Sequence, residues 1–210
     1  MKPFFVTGTD TNVGKTIVSA IVTQILGGCY WKPIESGLGN EVSDAVTVKN
    51  LTGLPEQHFF STIYELQASL SPNHAAELEQ IDIDILQCNH PPFERALIVE
   101  GAGGVFVPVN AHACMLDLMK HLNFPVIIVT RGTLGTLNHT LLTINALRQR
   151  GIPIHGVVFN GELYHANQKT IEEWGGVRTL FHVPHFDALE KNALQTWIQE
   201  HQQTILKEFE

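Results

Sequence analysis

Basic residues are scarce in this chain: 13 lysines and arginines stand against 21 acidic residues, for a formal net charge of −8. They are scattered rather than clustered, so the basic stripe that tracks a nucleic-acid backbone is missing and no nucleic-acid partner is expected. A positive pocket for one small anion stays open, because bulk charge says nothing of a single cleft. Cysteine is nearly absent too. Cys29, Cys88 and Cys114 form an odd, unpatterned set with no CxxC, which suits reduced thiols in a cytoplasm. The 11 histidines are dispersed with no HExxH or similar pair, which argues against a structural zinc. No apolar run approaches the ~18 residues of a membrane span. The opening Met1-Lys2-Pro3-Phe4-Phe5-Val6 turns polar at Thr7, short of the ~7–15 apolar residues of a secretory core. A cytoplasmic protein without a membrane partner is the expectation.

What the chain does have is a core. Its 210 residues are 44% hydrophobic, enough for a single α/β domain over 1–210. Repeats, low-complexity runs and flexible linkers are missing. Short β-rich runs predict strands at 3–7, 29–33, 96–100, 125–130 and 154–159, with a weaker one at 178–181. Helical patterns fall near 15–26, 44–52, 80–89, 115–121, 136–150 and 165–174, and again from about 187 to 206. Several strands are apolar on both faces, the mark of a parallel sheet covered by helices on either side. In such sheets ligands bind beyond the carboxyl ends of the strands.

The most informative stretch is "GTDTNVGKT", Gly8 to Thr16, between a predicted strand and a predicted helix. Backbone N–H groups in such a loop converge on phosphate oxygens, and the helix N-terminus adds partial positive charge. Lys15 would reach the outer phosphates, and the Thr16 hydroxyl would ligate Mg²⁺. The spacing is a variant, since G-x-x-x-x-G-K-[ST] begins at Thr9 and Gly8 lies one residue earlier. An ordinary glycine turn with a chance GKT is the bland alternative, and the strand and helix flanks speak against it.

Further residues fall at strand ends. Glu100 closes the apolar run "ALIVE" and precedes Gly101-Ala102-Gly103-Gly104, which let a backbone approach a ligand closely. A buried carboxylate there suits a hard cation better than it suits solubility. Asp44 in "EVSDAVTV" serves either a metal or the first turn of its helix, and spacing alone leaves both open. Lys32 in "CYWKPIESG" is either a solvated surface charge or a stabiliser of transferred negative charge. In "RGTLGTLNHT", Gly135, Thr136 and Asn138 offer anion-binding donors at a helix start, although spacing favours plain capping. Asn160 in "VVFNGE" either meets a base edge or sits in a turn.

Taken together, "FFVTGTDTNVGKT", "WKPIESG", "SDAVTV", "SPNHAA", "LIVEGAGG", "PVIIVTRGTLGTLNHT" and "GVVFNG" resemble the dethiobiotin synthetases, in matching order from Phe4 to Gly161. The resemblance is much weaker beyond. It implies a P-loop NTPase-like, three-layer fold with a mostly parallel sheet of about seven strands. It implies a homodimer that uses ATP and Mg²⁺ to close a cyclic urea from 7,8-diaminopelargonate and CO2, through a carbamate and a carbamic–phosphoric anhydride. By similarity, Thr16, Asp44 and Glu100 hold Mg²⁺, and Lys15 and Lys32 flank the transferred group. Thr11 and Ser36 contact carbamate or phosphate. Asp10, Thr11, Asn12, Val13 and Gly14 line the nucleotide with Lys15, Thr16, Glu100, Gly101 and Gly103, and Asn160 touches adenine. Ser36 and Gly103 also face the substrate, whose distal carboxylate meets Gly135, Thr136 and Asn138 of the neighbouring subunit. Such chemistry needs positioning and charge neutralisation rather than an enzyme nucleophile.

The chain departs from the family at Asn12, where many relatives carry Glu, and at "NGE", where Asn-Asp is more usual. "VPHFDAL" resembles the family's nucleotide-side loop only loosely. The competing reading is a regulatory switch ATPase of the same fold, such as the chromosome-partitioning type, but the extra lysine those carry early in the loop is missing. A related amidoligase would need a longer chain for its glutaminase domain. A non-enzymatic nucleotide-binding module would have no need of Lys32, Asp44 and Glu100 together.

Overall fold

The computed structural model describes residues 2–186 and 190–210. The last three positions of "VPHFDAL", and with them the first three of the helix expected from about 187, lie outside the described residues. Strands and helices alternate: β1 (Pro3–Gly8), α1 (Lys15–Ile25), β2 (Cys29–Trp31), β3 (Ile34–Ser36), α2 (Asp44–Thr52), β4 (Tyr64–Leu66) and α3 (Pro72–Glu79). There follow β5 (Leu97–Gly104), α4 (Met115–Leu122), β6 (Val126–Gly132), α5 (Thr136–Gln149), β7 (Ile154–Leu163), α6 (His165–Gly175), β8 (Thr179–Val183) and α7 (Lys191–Lys207).

Six of the strands form one parallel sheet in the order β2-β5-β1-β6-β7-β8. Strand pleating sends alternate residues to opposite faces, and the core divides accordingly. Phe4, Val6, Tyr30, Ile98 and Val129 pack under α1, α2 and α7. Phe5, Trp31, Val99 and Ile128 pack against α3, α4, α5 and α6. The doubly apolar runs are thus strands sandwiched between helices.

The expected seventh strand is not in this sheet. β3 and β4 pair instead in a small parallel sheet of their own. Pro33 explains the break: it has no N–H for a ladder, so β2 stops at Trp31 and the chain turns off the main sheet. The helix expected over 80–89 does not form either. Ser71 and Pro72 start α3 earlier, and Gln80, at φ 55°, ends it. Ile81, Ile83 and Ile85 then alternate at period two, with Ile83 buried, and Asp84 caps only the single turn Ile85–Gln87.

Register places the site. Val6 lies beside Glu100, and Trp31 beside Val99, so Lys32 emerges next to Glu100 just below the loop that follows β1.

Candidate active site

The loop from Gly8 to Thr16 is held from several directions. The Thr9 N–H donates to the Val129 carbonyl at 3.0 Å. Arg131 Nη2 donates to the Asn12 carbonyl at 3.1 Å, and Asn160 Nδ2 to the Val13 carbonyl at 2.9 Å. Asp10 Oδ1 accepts from the Thr11 N–H at 2.7 Å. Gly14 adopts φ 98°, and a Cβ on it would lie 2.1 Å from Asn160 Nδ2, so glycine is required twice over. Helix α1 then begins at Lys15 with no side-chain cap and no acidic residue in its first turn, leaving its N–H groups for a ligand. Lys15 Nζ is folded back to the Asp10 carbonyl at 3.1 Å. Burial lowers the Lys15 ammonium from its ordinary value, against the pull of Glu100.

Beneath the loop, charges converge. Thr16 Oγ1 lies 3.0 Å from both Asp44 Oδ1 and Glu100 Oε1. A hydroxyl has one proton, so it cannot satisfy both carboxylates at once. Lys32 Nζ pairs with Asp44 Oδ2 and lies 3.5 Å from Glu100 Oε1. Burial works against the Lys32 ammonium, but Glu100 and Asp44 outweigh it and hold Lys32 above its ordinary value. Burial likewise pushes Asp44 up, and Lys32 overrides it, so Asp44 is held below the usual carboxylate range. Glu100 is fully buried, which raises it. The buried Tyr30 hydroxyl donates to Glu100 Oε2 at 3.1 Å, and Glu35 Oε1 accepts the Asp44 N–H at 2.6 Å.

Among the described residues no three His, Cys, Asp or Glu side chains form an all-protein metal cage. One hydroxyl and two carboxylates are the partial oxygen set that suits Mg²⁺ when phosphate and water complete its shell. Those residues fit that ion.

The sequence-selected residues fall around adjoining hollows. A cavity of about 460 Å³ is lined by Thr11, Asn12, Gly14, Lys15, Thr16, Lys32, Ser36, Asp44, Glu100 and Gly103. Ser36 Oγ donates to the Leu70 carbonyl at 2.7 Å at its edge. A second hollow of about 510 Å³, with Asn160, Arg131 and Phe186, lies on the far side of Asn12. An apolar one of about 380 Å³ runs from Asp10 and Thr11 past Val105, Phe106 and Leu142. Val13 is a core residue at the edge of a smaller hollow, with its carbonyl held by Asn160, while Gly101 lines none of the hollows and is packed so closely that a Cβ would meet Phe5 at 2.8 Å.

At the start of α5, Thr136 and His139 line a small hollow of about 110 Å³ with Thr9, Asp10 and Val13. Gly135, at φ 92°, and Asn138 are exposed and line none of these hollows. The buried Thr136 hydroxyl donates inward to the Arg131 carbonyl at 2.5 Å, among Thr130 and Thr140. Tyr30, Glu35 and Arg131 escaped the sequence reading. For Tyr30 a signal existed: it precedes Lys32 by two positions, the strand repeat.

The protein family described as "AAA domain" matches residues 2–193. The ATP-dependent dethiobiotin synthetase BioD of Novosphingobium aromaticivorans is 45% identical over 194 residues, spanning 92% of this chain and 93% of that protein. That of Paramagnetospirillum magneticum is 47% identical over 180 residues, 86% of each. The chain belongs to the dethiobiotin synthetase family. Dethiobiotin synthetases are ATP-dependent ligases of biotin biosynthesis, and by sequence this chain is one of them. The same unit matches part of a longer relative, the biotin biosynthesis bifunctional protein BioCD of Bordetella avium. That match is 42% identical and covers 92% of this chain but 42% of that protein. Among solved structures, a variant of Cyanothece McdA in complex with ATP aligns at TM-score 0.61 and 11% identity, over 99% of this chain and 95% of that one. Pyrococcus horikoshii MinD with Mg-ADP aligns at 0.55 and 14% identity, over 95% of each. These share the P-loop α/β fold of the dethiobiotin synthetase chain. No helix among the described residues is long and apolar enough to cross a membrane.

Proposed function

We propose that this chain makes dethiobiotin from 7,8-diaminopelargonate, CO2 and ATP, releasing ADP and phosphate. What supports the reading most is the gathering of Lys15, Lys32, Thr16, Asp44 and Glu100 around one cavity at the carboxyl ends of β1, β2 and β5. One substrate amine adds to CO2 and loses a proton, giving a carbamate. A carbamate oxygen attacks the γ-phosphorus and ADP departs. The second amine then attacks the carbamoyl carbon and loses its proton, and phosphate departs as the ring closes.

The chain's part is charge and position. Lys15 turns from the Asp10 carbonyl to the outer phosphates, and Lys32, which lines the same cavity, faces the transferring group. Thr16, Asp44 and Glu100 would hold Mg²⁺, which offsets phosphate charge when bound. Thr11 and Ser36 contact carbamate and phosphate, with the Gly103 backbone nearby. The apolar hollow beside Thr11 suits the aliphatic chain of the diamine. Asp10 to Gly14 cradle the nucleotide and Asn160 meets its base. The start of α5, at Gly135, Thr136 and Asn138, serves the distal carboxylate of a substrate held by a second copy of the chain, making the homodimer the working unit. ATP turnover stimulated by diaminopelargonate and bicarbonate is the expected result in a phosphate-release assay. Hydrolysis indifferent to both would favour a switch ATPase.

A further inference from the structure

We propose that Tyr30 and Glu35 are positioning residues, each setting one carboxylate of the candidate metal site. The inference rests on reading Thr16, Asp44 and Glu100 as an Mg²⁺ donor set. Tyr30 and Ile98 point to the α1 side of the sheet, and Glu100, two residues beyond Ile98, does the same. The two residues therefore meet inside the molecule, both fully buried, with the phenol donating to Glu100 Oε2 at 3.1 Å. That bond engages one oxygen and leaves Oε1 facing Thr16 and Lys32.

Glu35 does the corresponding work for Asp44 through the backbone. It is 4% exposed on β3, and its Oε1 accepts the Asp44 N–H at 2.6 Å. α2 has its own cap, since Ser43 Oγ already accepts the Val46 N–H. Glu35 thus pins the first residue of α2 to the strand that follows Lys32 and bridges the two ends of the 37–43 loop. A third carboxylate beside Asp44 and Glu100 adds repulsion, and burying it costs free energy that a neutral strand residue would not incur. Stability alone does not select it there. Partners that orient ligating carboxylates typically contribute ~10–100-fold to metal affinity.

The test is calorimetric titration of ADP across a magnesium chloride series, with metal-free ADP binding as the control. Y30F and E35A are each expected to raise the half-saturating magnesium concentration about tenfold or more, leaving metal-free ADP affinity within about twofold of the parent. E35Q keeps the acceptor oxygen and should return the magnesium curve to within about threefold. E35L fills the site should E35A not fold. Variants that match the parent's magnesium curve, or that weaken ADP equally with and without metal, overturn the positioning role. A parent whose ADP binding ignores magnesium overturns the metal reading itself, and this inference with it.

Discussion

Lys32 is nearly out of water, 7% exposed, between two carboxylates. K32Q therefore does two things at once. It removes the charge that faces the transferring group, and turnover in the diaminopelargonate assay should fall by at least about 10²-fold. It also leaves Asp44 and Glu100 without their counter-charge, so Tm should drop while the folded circular dichroism spectrum persists. K15Q should lose turnover as severely with little change in Tm, because among the described residues the Lys15 ammonium bonds a carbonyl of its own loop and no carboxylate. Unchanged activity in either variant would remove that residue from phosphoryl transfer. A second residue-scale effect lies far from the site. His155 packs between Phe4 and Phe209, and its buried Nε2 has no hydrogen-bond partner among the described residues. Burial, with Arg178 and Lys2 nearby, holds it down to about 4. The unfolded ring titrates near 6.5, so the unfolded state takes up a proton first as pH falls. The stability from a neutral His155 is complete above about 6.5 and is lost progressively down to about 4. H155F should lose less Tm than the parent between those limits in calorimetry.

At the scale of elements, the helix α5 carries a sharp choice between roles. If its exposed start binds a substrate carboxylate, N138A should raise the diaminopelargonate KM with kcat and Tm held. A fall in Tm at unchanged KM would make Asn138 a plain helix-start residue. Elements also show where sequence reading succeeds. Long apolar strands such as β6 and long amphipathic helices such as α1 repeat often enough to display their period. β3 and β4, at three residues each, do not. Over 80–89, three isoleucines pass for a helical stripe although they alternate like a strand. The site is legible for a different reason. Glu100 and Lys32 are charges at the ends of apolar runs, where burial makes a charge conspicuous. Tyr30 is not, because a tyrosine inside a strand looks like core, and Glu35 is hidden because its bond partner is a backbone N–H on another element.

For the whole molecule, the decisive quantity is mass in solution. The proposed function needs a second copy to complete the substrate site, so sedimentation equilibrium should return twice the chain's 23.3 kDa. A monomer that nonetheless turns over diaminopelargonate would retire the shared site while sparing the chemistry of Lys15 and Lys32. Phe106 is 65% and Leu142 57% exposed beside the hollow that runs from Thr11. The phosphate loop has a larger consequence. Its carbonyls at Asn12 and Val13 are stapled by Arg131 of β6 and Asn160 of β7. A receptor already in its bound shape has no ordering to do when its guest arrives. Amide exchange in Gly8–Thr16 should then be nearly as slow in the apoprotein as with ADP, and R131A should quicken it only in the apoprotein. The nucleotide would meet a rigid mould, and its arrival would be governed by collision rather than by folding.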